Sequence, residues 1–318
     1  MRNGESAIKE TPADLAEAVT RNSASTLWFV GRFLSTPKRR LFEASYATMR
    51  VIDDFVDDDF LNRPEKERRD GRTDAENFIR GWRDQADAAL NQRGRLSPNH
   101  PHAPLFTALA DAANGGDLPV APWQALARAM LSDVREELLV DWDDFYAYCD
   151  GATVAPASVF LHVLQARDND GLKAGLSGDE LAQQARDMAL FCYLTHIRRD
   201  FAKDVARGGQ LVTLPQQLLS RHGLARNDLY AAPDSGLPVL SELGHRAEVH
   251  RAAARKVADD LLPDLGLRER TVLDTLLSLY EAMHHNLSET PLPERTVISR
   301  WTETLRTKAL SALGAIGP

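Results

Sequence analysis

Two aspartate-bearing segments, far apart in the chain, constrain its fold more than any other feature. Asp53 and Asp57 are four residues apart in the first segment, and Asp200 and Asp204 repeat that spacing in the second. Residues three or four apart lie on one face of a helix, so each segment directs a carboxylate pair to one side. Two such helices facing each other would form a cage of carboxylate oxygen atoms. Such a cage requires a fold that brings these two distant segments of the chain together.

The residues beside these pairs point to a phosphate-bearing ligand. Mg²⁺ is usually held by one or two carboxylates together with substrate phosphates, which suits such a cage. Arg50 and Arg199 each present a planar fork of donors that can bind phosphate oxygens. Tyr46, Arg50, Asp53 and Asp57 share one helix face, which we call the first stripe. Tyr193, His196, Asp200 and Asp204 form the second stripe. The candidate metal ligands are Asp53, Asp54, Asp57, Asp200 and Asp204.

The first acidic cluster has a simpler alternative, a solvated helix end. Aspartates occupy positions 53, 54, 57, 58 and 59, where the helix dipole and neighbouring like charges both disfavour them. The apolar residues Val51, Ile52, Phe55 and Val56 lie between them and indicate a partly buried helix instead. The recurrence of the Asp pair on a second helix favours the metal site.

Composition excludes several classes of protein. A net charge of −8 argues against a nucleic-acid partner, which normally meets a basic face. The only cysteines, Cys149 and Cys192, are too few for a disulfide framework and fit buried thiols in a cytoplasmic protein. The sequence shows neither a signal peptide nor an apolar run of the roughly 18 residues that a membrane helix needs. We therefore expect a soluble, cytoplasmic protein, or at most one that is peripheral to a membrane.

Helical periodicity runs through the whole chain, and alternating strand patterns are nearly absent. The sequence predicts one all-α domain over 1–318, an antiparallel bundle around a central cavity. It predicts a flexible N-terminus over 1–12 and a mobile polar loop over 62–71. The predicted helices are 37–59, 73–91, 104–113, 122–139, 143–149, 153–166, 179–205, 241–265, 269–287 and 296–313.

Four segments, taken in order, carry a resemblance to a known family. Asn22-Ser23-Ala24-Ser25 is similar to an N-terminal serine segment that binds diphosphate, and the stretch 37–59 to a first aspartate-rich helix. The stretch 142–149 is similar to a Tyr-Cys segment, and 199–204, followed by 207–209 and 214–215, to a second aspartate-rich helix and its loop. Together they resemble the squalene/phytoene synthase family, the head-to-head prenyl synthases.

That resemblance implies an isoprenoid-synthase fold and two allylic diphosphates bound through Mg²⁺. One diphosphate ionises, the double bond of the other attacks the allylic cation, and a cyclopropylcarbinyl diphosphate forms; its own ionisation and rearrangement yield a linear hydrocarbon. The implied diphosphate-binding residues are Ser23, Ser25, Arg50 and Arg199. The resemblance implies that Tyr148 is an active-site tyrosine, and the other candidate catalytic residues are Tyr46, Tyr193 and His196, which accompany the two Asp pairs. The candidates to line an apolar tunnel, or else to pack in the core, are Trp28, Phe29, Phe33, Phe160, Leu161 and Leu164.

The chain departs from the family pattern at three places. Tyr193 and His196 stand where most members have Gln and Asn, and imidazole is a poorer partner for Mg²⁺ than oxygen. The segment 152–157 lacks two family glycines and contains Pro156, which should stiffen a helix beside the cavity. Thr213 replaces a tyrosine. These changes are compatible with ionisation and leave the later steps and the chain length of the product open.

Four functions remain after this reasoning. The first is condensation of two farnesyl diphosphates to a presqualene- or squalene-type product, and the second is phytoene synthesis from geranylgeranyl diphosphate. The third is a terpene-cyclase-like or prenyl-transfer activity, and the fourth a non-catalytic assembly protein. NADPH use stays open, since the chain has no dinucleotide-binding glycine fingerprint but reducing family members need none. The oligomeric state also stays open.

Overall fold

The computed structural model describes residues 11–91, 96–206 and 213–314, without the side chains of residues 230 and 231. Over these ranges the chain is helical and contains no β-strand; an isolated bridge joins Arg167 and Lys173. The prediction of an all-α fold is confirmed. The α-helices are α1 (Pro12–Asn22), α2 (Thr26–Gly31), α3 (Thr36–Asp54), α4 (Glu65–Asn91), α5 (Ala103–Ala112), α6 (Ala121–Val134), α7 (Trp142–Cys149), α8 (Ala155–Gln165), α9 (Gly178–Ala206), α10 (Gln216–Arg221), α11 (Arg226–Ala231), α12 (Leu237–Leu261), α13 (Leu267–Glu289) and α14 (Arg295–Gly314).

Two short π-helical segments interrupt this pattern. Phe55–Phe60 continues α3, and Asp150–Val154 joins α7 to α8. Short 3₁₀ turns at Pro233–Gly236 and Leu262–Asp264 flank α12. Because π-helical turns inside α-helices are uncommon and occur frequently at functional sites, the two segments are candidates for a functional role.

The predicted loop over 62–71 is wrong, because α4 begins at Glu65. Its first turns are polar since most of that face is exposed to water. Arg68 is the exception: it is buried, forms an ion pair with Glu136, and donates from Nη1 to the carbonyl of Arg63 at 2.7 Å. Because Arg68 is charged, its burial against Glu136 does not show as an apolar position in the sequence.

Two other predicted boundaries also moved. Helix α6 ends at Val134, short of residue 139, because Glu136 adopts a left-handed backbone with φ of 55°. The sequence predicted no helix before residue 37, yet α1 begins at Pro12 with a capping box between Thr11 and Asp14. Residues 1–10 of the predicted flexible terminus, and 207–209 of the segment similar to the family's loop, lie outside the described residues.

The long helix α9 lies at the centre of the bundle, where it packs against α8 on one side and α12 on the other. Helix α3 packs against α1, α5 and α8, so the two acidic helices sit in one bundle with α8 between them. The interior is closely filled by large side chains such as Trp82, Trp123 and Phe191, which are fully buried. This core holds α3 and α9 at fixed positions relative to each other.

A buried ion pair lies at the end of α3 remote from its aspartates. The Lys38 ammonium donates to Glu269 Oε1 at 2.9 Å and to the carbonyl of Leu164 at 3.0 Å. These contacts join the start of α3 to the end of α8 and the start of α13. Since both charged residues are less than a tenth exposed, the pair must be satisfied internally.

None of the helices in the described ranges has a stretch long and apolar enough to cross a membrane.

Candidate active site

A cavity of about 710 Å³ opens between α3, α9 and the surrounding helices, and both acidic stripes reach it. The cavity wall includes nearly every residue that the sequence singled out as a candidate. Those on the wall are Ser23, Ser25, Tyr46, Arg50, Asp53, Asp57, Tyr148, Tyr193, His196, Arg199, Asp200 and Asp204. Helices distant in the sequence thus converge on one cavity, and both Asp pairs line it.

Asp54 is the one candidate that does not line this cavity, and Asp58 lines it instead. The π-helical segment accounts for the position of Asp58. Its hydrogen bonds join residues five apart, as from the Leu61 amide to the Val56 carbonyl at 2.9 Å. Residues 53 and 58 therefore approach one face of the helix together with Asp57. Asp54 turns aside and forms an ion pair with Arg50.

The first stripe is short of positive charge. Burial, only partly offset by Arg50, raises the pKa of Asp53 to about 6, with Asp54 and Asp58 adding to the rise. Burial also raises the pKa of Asp57 well above its usual value, with Asp53, Asp133 and Asp58 adding to it. Asp53 remains 39% exposed, because its carboxylate faces the open cavity. Clustered carboxylates of this kind favour binding of a cation.

The second stripe already carries its own cations. The Arg199 guanidinium donates two bonds to Asp200, at 2.9 and 2.7 Å. Burial alone would raise the pKa of Asp200, but the bonds and charge of Arg199 outweigh it and the pKa is lowered. Lys203 approaches Asp200 within 3.7 Å and Asp204 within 3.6 Å. The two stripes therefore differ: in the first, Arg50 offsets the raised pKa values of the aspartates only in part, whereas in the second Arg199 outweighs burial and lowers the pKa of Asp200.

His196 is neutral and bonded to a tyrosine that sequence reasoning missed. Burial, with the positive charge of Arg199, lowers the pKa of His196 to about 3. The Tyr280 hydroxyl lies 2.8 Å from His196 Nε2, and a neutral ring accepts that hydrogen bond. Tyr280 is on α13 and also lines the cavity. His196 thus contributes no positive charge to the site.

Tyr148 is held by a second missed residue, Asp133 on α6. The Tyr148 hydroxyl donates to Asp133 Oδ2 at 3.0 Å, and both side chains line the cavity. Burial raises the pKa of Asp133 to about 7, against the lowering effect of that hydrogen bond. Burial likewise raises the pKa of Tyr148 well above its usual value. The neutral Tyr148 phenol and the Asp133 carboxyl group, with its pKa of about 7, therefore face the first stripe.

Arg306 on α14 is the third missed residue. It lines the cavity, and its guanidinium bonds to the carbonyl of Ala24 and lies 5.4 Å from the Phe29 ring. Ala24 has a left-handed backbone, with φ of 48°, between the two serines. Ser25 caps α2 by accepting from the Trp28 amide at 3.0 Å. No local motif marks Arg306, Tyr280 or Asp133, so the sequence held no signal for them.

A second, apolar cavity of about 150 Å³ adjoins the first and shares Tyr46, Arg50 and Asp53 with it. Of the six residues proposed from sequence to line a tunnel, Phe160 alone lines either cavity. Trp28, Phe29, Phe33, Leu161 and Leu164 belong to the bundle core or pack against it, which was the alternative left open for them.

The donor set fits Mg²⁺. Within the described ranges, no group of three or more Asp, Glu, His or Cys side chains could hold an ion unaided. Mg²⁺ does not require such a group, since it commonly takes one or two carboxylates and completes its shell with water and phosphate oxygens. Asp53 and Asp57 offer two hard oxygen ligands that need positive charge, as their raised pKa values indicate.

We expect the ligand-free protein to lose stability as the pH rises from 5 to 8. The pKa values of Asp53 and Asp133 are higher in the folded protein than in an unfolded chain. Stability from these groups is therefore full below pH about 4 and is lost as the pH rises through about 6 to 7. Asp133→Asn should flatten this decline, making the variant more stable than wild type by roughly 1–2 kcal/mol at pH 8, with water in the cavity screening part of the effect.

Thermal melts at several pH values, with and without Mg²⁺ and diphosphate, measure this. Asp259→Asn on the exposed face of α12 is the matched control and should follow the wild-type profile. A decline in Asp133→Asn as steep as in wild type would show that Asp133 does not carry the effect.

The fold is the all-α fold of the isoprenoid synthases. A solved dehydrosqualene synthase superposes with a TM-score of 0.70 at 17% identity, covering 96% of this chain and 97% of that one. The squalene synthase HpnC from Alicyclobacillus acidocaldarius superposes with a TM-score of 0.67 at 18% identity, over 88% of this chain and 94% of that one. At these identities the likeness concerns the fold.

Sequence comparison identifies the family. Residues 20–302 match the squalene/phytoene synthase family, so the chain belongs to it and is a prenyltransferase. Among curated relatives, the phytoene synthase of Mycobacterium tuberculosis is 24% identical over 274 residues, 84% of this chain and 78% of that protein. Phytoene synthase 1 of Zea mays, a chloroplastic protein, is 23% identical over 231 residues, 72% of this chain and 49% of that protein.

Proposed function

We propose that this protein condenses two molecules of farnesyl diphosphate head to head, giving a presqualene- or squalene-type product. One observation carries the proposal: two carboxylate stripes and several cationic side chains share a cavity with an apolar extension. A diphosphate and its hydrocarbon tail need those two environments side by side. An assembly protein would have no use for a solvent-accessible cavity with this division of charge.

The polar end would bind and release diphosphate. Asp53 on α3 and Asp57 in the π-helical segment that follows it, with Asp200 and Asp204 on α9, are the residues that would hold Mg²⁺. Bound there, Mg²⁺ would neutralise charge developing on the leaving group. Arg50 and Arg199 are now engaged by Asp53 and Asp200, at 3.2 and 2.7 Å. Their guanidinium groups can exchange these carboxylates for phosphate oxygens, which have the same bidentate geometry.

The wall between the two ends would protect the allylic cation. When the carbon–oxygen bond breaks, the electron pair leaves with the diphosphate, and the cation faces aromatic rings of Tyr46, Tyr193 and Tyr280. Burial raises the pKa of Tyr193 and Tyr280, so both stay neutral and offer ring faces that stabilise a cation. His196, also neutral, adds no repulsion. The double bond of the second substrate then attacks the cation.

Geranylgeranyl diphosphate, and hence phytoene, is the second candidate. The observation in its favour is that the curated relatives above are phytoene synthases. Their identity to this chain, about a quarter, is compatible with either substrate. The two candidates differ in tail length alone, so the apolar extension of the cavity must discriminate between them.

The test is to incubate the purified protein with Mg²⁺ and each prenyl diphosphate, then to measure diphosphate release and the mass of the extracted product. We expect a thirty-carbon product from farnesyl diphosphate. A forty-carbon product formed at a higher rate from geranylgeranyl diphosphate supports the second candidate. A cyclised fifteen-carbon monomer contradicts condensation, and absence of diphosphate release contradicts the proposal as a whole. Adding and omitting NADPH shows whether the final cation is reduced.

A further inference from the structure

The apolar cavity is a groove between α3 and α8 that runs away from the acidic site. Its α3 wall consists of Phe42, Tyr46, Met49, Arg50 and Asp53, and its α8 side of Ala152, Pro156, Val159 and Phe160. Leu27 and Leu126 complete the lining. The groove therefore starts among groups that would bind diphosphate and continues along apolar side chains.

The two walls run antiparallel, which defines the closed end of the groove. Five residues line both cavities, namely Leu27, Tyr46, Arg50, Asp53 and Ala152, and of these Asp53 and Ala152 mark the acidic end. Phe42 and Phe160 mark the other end, with ring centroids 5.7 Å apart and planes at 72°, an edge-to-face contact. Both residues are only 3% exposed. One helical turn further, the Lys38 ammonium bonds to the Leu164 carbonyl at 3.0 Å, so the two helices stay antiparallel below the rings.

The rings of Phe42 and Phe160 form the floor of the groove, and neighbouring groups hold Phe42 in place. On the side of α2, a methyl group built at Gly31 would lie 2.4 Å from the Phe42 ring, so the backbone of α2 already touches that ring. Beneath the floor, the Lys38–Glu269 ion pair fills the space with groups that an apolar tail cannot displace. Phe42 can thus swing neither toward α2 nor downward to admit a longer chain.

The depth of the groove can be compared with a prenyl tail. Asp53 follows Phe42 by eleven residues on α3, and a rise of 1.5 Å per residue makes that roughly 16 Å. An isoprene unit adds four carbon–carbon bonds of about 1.5 Å, or roughly 5 Å when extended. Three units span about 15 Å and four about 20 Å, so the fourth would meet the rings. The apolar cavity of about 150 Å³ by itself holds about one terminal unit, comparable to a six-carbon ring, so the units nearer the diphosphate would lie in the larger cavity beside Tyr46, Arg50 and Asp53.

We infer that the edge-to-face pair of Phe42 and Phe160 limits this enzyme to prenyl tails of three isoprene units. The inference rests on the proposed condensation and names its substrate class, a fifteen-carbon allylic diphosphate. Phe42 and Phe160 are specificity-determining residues here, because they touch the end of the tail. They lie at the end of the groove opposite the diphosphate-binding groups, far from the bond that breaks. Removing either ring opens the groove by about one unit.

The test compares farnesyl and geranylgeranyl diphosphate as substrates for wild type, Phe160→Ala and Phe42→Ala. The readout is the ratio of kcat/KM for the two, from diphosphate release with Mg²⁺. We expect wild type to favour the fifteen-carbon substrate at least tenfold. In either variant the ratio should shift at least tenfold toward the twenty-carbon substrate. Phe160→Leu and Phe42→Leu, which remove less volume, should shift it in the same direction and cover the case in which an alanine variant does not fold.

Phe106→Ala on α5 is the matched control, since Phe106 is fully buried but lines neither cavity. It should keep the wild-type ratio even if its stability falls. The inference is overturned if wild type uses the twenty-carbon substrate as well as the shorter one, or if folded Phe160 and Phe42 variants keep the wild-type ratio. Diphosphate release from neither substrate would instead contradict the proposed function, so the two failures are distinguishable.

Discussion

Asp57→Asn is expected to lower Mg²⁺-dependent diphosphate release by about a thousandfold, which corresponds to roughly 4 kcal/mol of transition-state stabilisation. Asp57 lies in the first π-helical segment and faces the cavity beside Asp53. An amide has nearly the shape of a carboxylate but no negative charge, so it is a much weaker ligand for Mg²⁺. The measurement is the rate of diphosphate release at saturating substrate, over a range of Mg²⁺ concentrations.

The same variant should fold at least as well as wild type. Burial and like charges raise the pKa of Asp57, so its charged form destabilises the ligand-free protein at neutral pH. Loss of activity combined with an unchanged or higher Tm would separate a role in the site from a role in the fold. Asp59→Asn is the control, because Asp59 follows on the same turn but pairs with Arg63 at the surface, at 2.8 Å. A thousandfold loss in the control, or wild-type activity in Asp57→Asn, contradicts the assignment.

Lys38→Met is expected to destabilise the protein by about 3–5 kcal/mol, since it leaves the Glu269 carboxylate buried without its partner. Lys38 is 6% exposed and Glu269 is 8% exposed, so water cannot replace the lost ammonium. The carbonyl of Leu164 also loses a donor. Chemical denaturation followed by circular dichroism gives the free energy of unfolding for each variant.

The double variant Lys38→Met, Glu269→Leu tests the cause of this loss. If an unpaired buried charge is responsible, the double variant should recover most of the stability, because apolar side chains of similar volume often replace a buried pair at little cost. Arg21→Met is the surface control: Arg21 pairs with Glu17 at 3.3 Å, both are largely exposed, and its loss should change stability by under about 1 kcal/mol. A double variant as unstable as the single one would point to packing instead.

Much of the site could be predicted from local sequence because helical spacing is a local property. The four-residue interval in each Asp pair, with Arg50 and Arg199 alongside, required only that both segments be helical. The convergence of α3 and α9 followed from the need of Mg²⁺ and diphosphate for several ligands. The long, periodic helices were predicted well for the same reason, whereas α1, whose capping box at Thr11 and Asp14 was legible, was overlooked.

What the sequence by itself determined about this protein is its helical class and the set of chemical groups that two faces present. Only the tertiary structure decided that Asp58 reaches the cavity, since a π turn changes the direction of the side chains after it, and that Asp54 pairs with Arg50 instead of lining the cavity. It also decided that Asp133 and Tyr280 hold Tyr148 and His196, and that Phe42 meets Phe160 below them. Each of these contacts joins residues far apart in the chain, and no short-range pattern encodes the packing that brings them together.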